Sequence, residues 1–125
     1  MSVEKKILII DDETDLCLLL KDYFIRKHYN VFLSHTLSDG AKILNDIHPD
    51  ILFLDNNLPD GLGVNNIVDI KTIAPNAALI MITAMGNSRE EALQKGVDIF
   101  LEKPLTSTNI KDVLLKITSK QDTEA

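Results

Sequence analysis

The chain has 125 residues, 45% of them apolar, with a formal charge of −6 and a pI near 4.9. That length fits one domain and leaves no room for a second folded unit, since domains most often run to about 100–150 residues. The acidic balance argues against a nucleic-acid or anionic-membrane partner. Apolar runs far short of the ~20 residues that span a bilayer, and a start without a signal-peptide core, make a cytoplasmic protein the expectation.

The first element is the aliphatic run Lys6–Ile10, read as a strand and closed by Asp11-Asp12. A helix follows, with Leu16, Leu19, Leu20, Tyr23 and Phe24 at i, i+3, i+4, i+7 spacing, expected to face the core. Cys17, the single cysteine, can form no intrachain disulfide and reads as a buried, inert thiol. The strand Asn30–Ser34 leads to a second helix, opened by Thr36 with Asp39 three residues on and stopped at His48-Pro49. Ile51–Asp55 is a third strand, followed by the polar loop Asn56-Asn57-Leu58-Pro59-Asp60-Gly61 and a helix ending before Pro75-Asn76. Ala78–Thr83 is the fourth strand. The helix after it starts at Ser88–Glu91, read as the best capping box in the chain, and stops at Gly96. Ile99–Glu102 is the fifth strand, running into Lys103-Pro104. The last helix opens on Thr106 and Asn109 and carries Ile110, Val113, Leu114 and Ile117 on its core face. Residues 119–125 are polar and aperiodic and are expected to fray, leaving a core of about 5–118. Five strands alternating with five helices predict an α/β fold around a parallel sheet covered on both faces.

Strand ends then bring Asp11, Asp12 and Asp55 to the carboxyl edge of one sheet, where open α/β folds place their active centres. Carboxylates crowded together repel one another unless a hard cation sits among them, so the pattern points to a Mg²⁺ site. Each residue alone has a plainer reading. A strand-end aspartate is often a cap, and Asp11-Asp12-Glu13 would complement a helix dipole. Lys103 alone is a surface lysine, Thr83 a strand-end hydroxyl and Phe100 core. Ser34, His28, His35 and His48 have no partners at metal-ligand or triad spacing and are read as non-catalytic.

In order, Asp11-Asp12, Asp55, Thr83-Ala84 and Lys103-Pro104 end the first, third, fourth and fifth strands, with 44 positions from Asp11 to Asp55. This set resembles a response-regulator receiver domain over residues 5 to about 118. The resemblance implies one receiver domain over residues 1–125, with a CheY-like, flavodoxin-like fold of five parallel strands in the order 2-1-3-4-5. It implies that Asp55 accepts a phosphoryl group from a histidine kinase or histidine phosphotransfer protein. Asp12, Asp55 and the backbone carbonyl of Asn57 would bind Mg²⁺, and Asp11 would hold a metal-bound water or complete the cluster. Lys103, on a cis Lys103–Pro104 peptide, would turn its ammonium into the acidic pocket. Thr83 and Phe100 would form the switch pair, Ala84 would leave room for the phosphoryl group, and Asn57's side chain would lie near the incoming water. The chemistry agrees, because a carboxylate attacks a phosphoryl group only where the charge on its oxygens is compensated. The implied role is a phosphoacceptor switch that dephosphorylates itself rather than a turnover enzyme.

Thr83 and Lys103 are 20 positions apart, about two fewer than receivers usually show. The fourth helix is therefore expected to be short or displaced, with only Ala92 and Leu93 as buried candidates, and residues 84–97 to be mobile. Three other readings compete. A flavodoxin-like ligand-binding module would want a glycine- or hydroxyl-rich anion loop where Asp11-Asp12-Glu13 stand. An aspartate-nucleophile phosphatase would want Asp-x-Asp straight after one strand. A pseudo-receiver would use the same surface without phosphorylation. The downstream target or fused output domain is not written in the chain.

Overall fold

Every expected strand forms at the expected residues. The computed structural model describes residues 4–84 and 86–124. Its main sheet comprises β1 (Lys6–Ile10), β2 (Asn30–Ser34), β3 (Ile51–Asp55), β4 (Ala78–Thr83) and β5 (Ile99–Glu102). All pairings are parallel and the spatial order is β2-β1-β3-β4-β5, the order implied by the resemblance. The helices are α1 (Thr14–Arg26), α2 (Leu37–Ile47), α3 (Ile67–Ile73), α4 (Arg89–Lys95) and α5 (Ser107–Glu124).

Side chains alternate across the strands, so consecutive aliphatic residues feed two separate cores. Leu8, Ile10, Leu52, Leu54, Leu79, Met81 and Phe100 pack with Leu44, Ile67, Ile70 and Ala92 on one face. Ile7, Ile9, Ile51, Phe53, Ile80 and Ile82 pack with Leu16, Leu20, Phe24, Ile110, Val113 and Ile117 on the other. Burying each such side chain contributes about 1.5–3 kcal/mol. Phe24 lies at the centre of an aromatic group on this second face, with ring centroids 5.3 Å from Tyr23, 5.2 Å from Tyr29 and 5.8 Å from Phe53. Two residues expected inside are not: Leu19 is 37% exposed and Leu93 40%. Leu16, Cys17, Leu20 and Phe24 already fill the line of α1 that meets the sheet, which leaves Leu19 on its flank. A seven-residue α4 buries only Ala92.

Helix entries separate the expected caps. Thr36 Oγ1 accepts from Asp39 N at 3.1 Å. Thr106 and Asn109 form a full reciprocal box, Thr106 N donating to Asn109 Oδ1 at 3.0 Å and Asn109 N to Thr106 Oγ1 at 3.1 Å. The Ser88–Glu91 box does not form. A cap needs an extended N-cap backbone, whereas Ser88 closes a 3-10 turn, Gly86–Ser88, with φ −96° and ψ 4°. Its Oγ is buried without a hydrogen-bond partner, and Glu91 pairs instead with Lys95 at 2.8 Å. The fourth helix is short, as expected; the expectation of mobility over 84–97 includes Met85, outside the described residues. Helix α5 continues through residues 119–124, where the sequence reading put a frayed tail. Once a helix is nucleated each further residue adds a hydrogen bond, so a polar stretch can extend it. Ala125, the last residue of that expected tail, lies outside the described residues.

Candidate phosphoacceptor and metal site

The strand ends bring the expected residues together. Asp11, one residue past β1, is fully buried and its main chain is held on several sides. Its N–H donates to Ser34 O at 3.0 Å. Its carbonyl accepts from Cys17 Sγ at 3.2 Å and from His35 Nδ1 at 2.9 Å, so Nδ1 carries the proton. Its Oδ1 accepts from Glu13 N at 2.7 Å. Asp55 closes β3 at 2% exposure, and Thr83 closes β4 with none. Lys103 follows β5, and the Lys103–Pro104 peptide is cis. Its Nζ lies 3.1 Å from Asp11 Oδ2, 3.4 Å from Asp55 Oδ2 and 3.4 Å from Glu13 Oε1.

Carboxylate oxygens of Asp11, Asp12 and Asp55 all lie within 4.8 Å of one another. Asp55's carboxyl is pushed up to about 6, first by burial and then by the charge of Asp11, against the pull of Lys103 and the N–H of Asn57. Burial raises Asp11 as well. For Lys103 burial alone would lower the ammonium's pKa, but its contacts with Asp11, and then Asp55 and Glu13, outweigh that and hold it above the usual value. Asp11 Oδ2 takes no hydrogen bond, since Lys103 Nζ is close but off line for one. The carboxylates of Asp11, Asp12 and Asp55, with Glu13 beside them, outnumber the single Lys103 ammonium, an excess of negative charge that a divalent cation offsets. Hard oxygen donors of this kind are what Mg²⁺ takes, so the residues fit that ion.

Asn57 stands exposed at the mouth of this cluster. Its N–H donates to Asp55 Oδ1 at 3.3 Å and its Nδ2 reaches Thr83 Oγ1 at 3.5 Å. Phe100 is buried, two register positions down the β4–β5 ladder from Thr83, with the Arg89 guanidinium 5.8 Å from its ring centroid. The Cys17 thiol is pushed up to about 11, mainly by burial and then by Asp11, so it is the inert thiol expected.

The loop after β3 holds residues that sequence reading passed over. Read as a polar loop, it folds into a small antiparallel hairpin, Asn57–Leu58 against Gly61–Leu62, and a 3-10 turn over Gly63–Asn66. Asn56 braces it from inside, its Oδ1 accepting from Val64 N at 2.9 Å and its carbonyl from Gly63 N at 2.8 Å. A Cβ on Gly63 would strike the carbonyl oxygen of Asp55, so only glycine lets the chain pass there. The dipeptide Asp60-Gly61 signals a turn, but nothing local reveals the partners of Asp60 or Asn56.

Residues 7–115 match the family model described as the response regulator receiver domain. The chain belongs to the response-regulator receiver family. This receiver is 30% identical to the chemotaxis protein CheY of Thermotoga maritima over 117 residues, 91% of this chain and 98% of that one. It is 28% identical to sporulation initiation phosphotransferase F of Bacillus subtilis over 116 residues, 91% of this chain and 94% of that one. Its fold matches a CheY-like receiver domain from Methanospirillum hungatei with a TM-score of 0.91 at 22% identity, covering 98% and 100% of the two chains. The beryllofluoride-activated NtrC4 receiver domain dimer matches with a TM-score of 0.82 at 29% identity, covering 96% and 98%. Receivers are signalling switches rather than turnover enzymes, and they work with kinases, phosphotransfer partners and downstream targets. The family binds Mg²⁺ at an acidic pocket, and this receiver has the acidic cluster. Among the described residues, no helix is long and apolar enough to cross a membrane.

Proposed function

We propose that Asp55 is the phosphoacceptor of a cytoplasmic two-component or phosphorelay switch, with a histidine kinase or histidine phosphotransfer protein as donor. The observation that carries this is the placement of a nearly buried Asp55 carboxylate 3.4 Å from Lys103 Nζ, within an acidic cluster at the carboxyl edge of the sheet. An Asp55 carboxylate oxygen attacks phosphorus, the P–N bond of the donor breaks, and the imidazole nitrogen keeps the electron pair. Asp11, Asp12, Asp55 and the carbonyl of Asn57 would hold Mg²⁺, which when bound offsets the charge on the phosphoryl oxygens. Lys103 stabilises the same charge from the other side, its ammonium already held by Asp11 and Asp55. Thr83, next to the acceptor, is the hydroxyl that answers the phosphoryl group, and Phe100 the ring that moves with it. Water later releases phosphate from Asp55, which makes the receiver self-resetting. The test is incubation with Mg²⁺ and phosphoramidate followed by intact-mass measurement. Wild type gains one phosphoryl group and Asp55→Ala none; a wild type that gains none overturns the assignment.

A further inference from the structure

The phosphoacceptor loop is tied to a helix it has no sequence neighbourhood with. Asp60, at the tip of the hairpin, receives the N–H of Leu37 on Oδ1 at 2.8 Å and the N–H of Ser38 on Oδ2 at 2.9 Å. These are two of the N–H groups that the first turn of α2 cannot satisfy internally. The third, on Asp39, goes to Thr36 Oγ1. An ionised carboxylate on two amides at a helix N-terminus makes charge-assisted hydrogen bonds in a favourable field, stronger than ordinary neutral ones. The far side of the tip has little room as well, because a Cβ on Gly61, at φ +150°, would come within 3.2 Å of Leu37 Cδ1. Pro59 fixes one backbone angle of the turn.

The hairpin carries this constraint back to the chemistry. Asn57 pairs with Leu62 and Leu58 with Gly61, so the residue between Asp55 and Thr83 shares a two-rung ladder with the clamped tip. Among the described residues, Asn57's own side chain has one contact to orient it, a long one of 3.5 Å to Thr83 Oγ1. Its direction therefore depends on the hairpin, and the hairpin's on Asp60.

We propose that Asp60 is a positioning residue: by clamping the hairpin to the α2 N-terminus it aims the Asn57 amide at the water that hydrolyses the phosphorylated Asp55. This rests on Asp55 being the phosphoacceptor. In that hydrolysis the water oxygen bonds to phosphorus, the P–O bond to Asp55 breaks, the Asp55 carboxylate keeps the electron pair, and the water's protons leave with inorganic phosphate and solvent. An amide can hold such a water, and errors of an ångström in aim cost up to about 100-fold in rate. Asp60 touches none of the reacting atoms and acts only through Asn57.

The full chain is phosphorylated with phosphoramidate and Mg²⁺, the donor is removed, and loss of the phosphoryl group is followed by intact mass. Asp60→Ala is expected to lengthen the lifetime about tenfold, a partial loss on that scale. Asp60→Asn keeps an acceptor oxygen for one amide and should fall between Asp60→Ala and wild type. Asn57→Ala should lengthen the lifetime as well, and Asp60→Ala should add nothing to it. A role in folding alone would not depend on residue 57. The proposal is overturned if Asp60→Ala hydrolyses at the wild-type rate, or if its effect multiplies with that of Asn57→Ala. A wild type that takes no phosphoryl group overturns the acceptor assignment and this inference with it, whereas normal uptake with an unchanged Asp60→Ala lifetime overturns this inference alone.

Discussion

The segments that follow β3 and β4 leave the same edge of the sheet, yet they are held in opposite ways. After β3 the chain is pinned at its base by Asn56, at its tip by Asp60 and at its exit by a glycine that only just clears Asp55. After β4 it passes through a 3-10 turn whose serine hydroxyl is idle, into a two-turn helix that buries one alanine. The acidic cluster sits on the side where side-chain hydrogen bonds over-determine the backbone. The segment expected to move sits on the side where, among the described residues, few buried side chains oppose movement.

The largest effect that would sharpen this contrast is the cost of the pinned acidic edge. Asp55 titrates near 6 in the folded chain against 3.8 for the free group. Between about pH 4 and pH 6 the folded state therefore binds more protons than the unfolded one, and metal-free stability falls as pH rises through that window. The fall is up to about 3 kcal/mol for a shift of this size. Urea unfolding in EDTA should show it, and Asp55→Asn should reduce that slope, leaving the part due to Asp11, and be the more stable protein at pH 7. Mg²⁺ should restore the wild type above pH 6 and do little below pH 5, where Asp55 is protonated.

Lys103→Met comes next. Losing one charge-stabilising donor from a dry site typically costs 10²-fold or more, so the initial rate of phosphorylation by phosphoramidate should drop about 100-fold. A rate within twofold of wild type would show that the edge does not rely on its ammonium.

Two glycines then compare the segments directly. In Gly63→Ala the new methyl meets the backbone of Asp55 and Asn56, which cannot give, and urea unfolding should register a loss of about 2 kcal/mol. The nearest atoms to the methyl of Gly86→Ala belong to the exposed carboxylate of Glu102, which can swing away, so stability should change by less than about 0.5 kcal/mol. Equal losses would break the contrast.

The caps repeat the test on a smaller scale. Thr36→Ala should cost about 1 kcal/mol. Ser88→Ala should be neutral or slightly stabilising, since its buried oxygen has no partner to lose. Amides of residues 86–96 should exchange with solvent well before those of β3, and equal protection would remove the case for a mobile segment.

Much of this could be read from the chain because much of it is local. Aliphatic runs such as Ile51–Leu54 fix strand bounds, and the acids that close the first and third runs fix where the carboxylates emerge. Leu19 and Leu93 were misplaced because periodicity tells which stripe of a helix is apolar, not how wide a strip of sheet it meets. Ser88–Glu91 had the right spacing for a capping box, but spacing does not specify the extended backbone that a cap requires. Asp60 was out of reach for another reason. Its partners are 23 and 22 residues earlier in the chain, and only the β1–β3 pairing brings that loop over α2.

The aromatic group around Phe24 has a practical consequence for anyone watching this protein by light. The chain has no tryptophan and two tyrosines, and Tyr23 and Tyr29 both pack edge-on against Phe24, on the face of the sheet opposite Phe100. Intrinsic fluorescence will follow unfolding of the α1 side and be nearly blind to events at Thr83, Phe100 and α4. An optical assay of the switch needs a reporter placed on the other face.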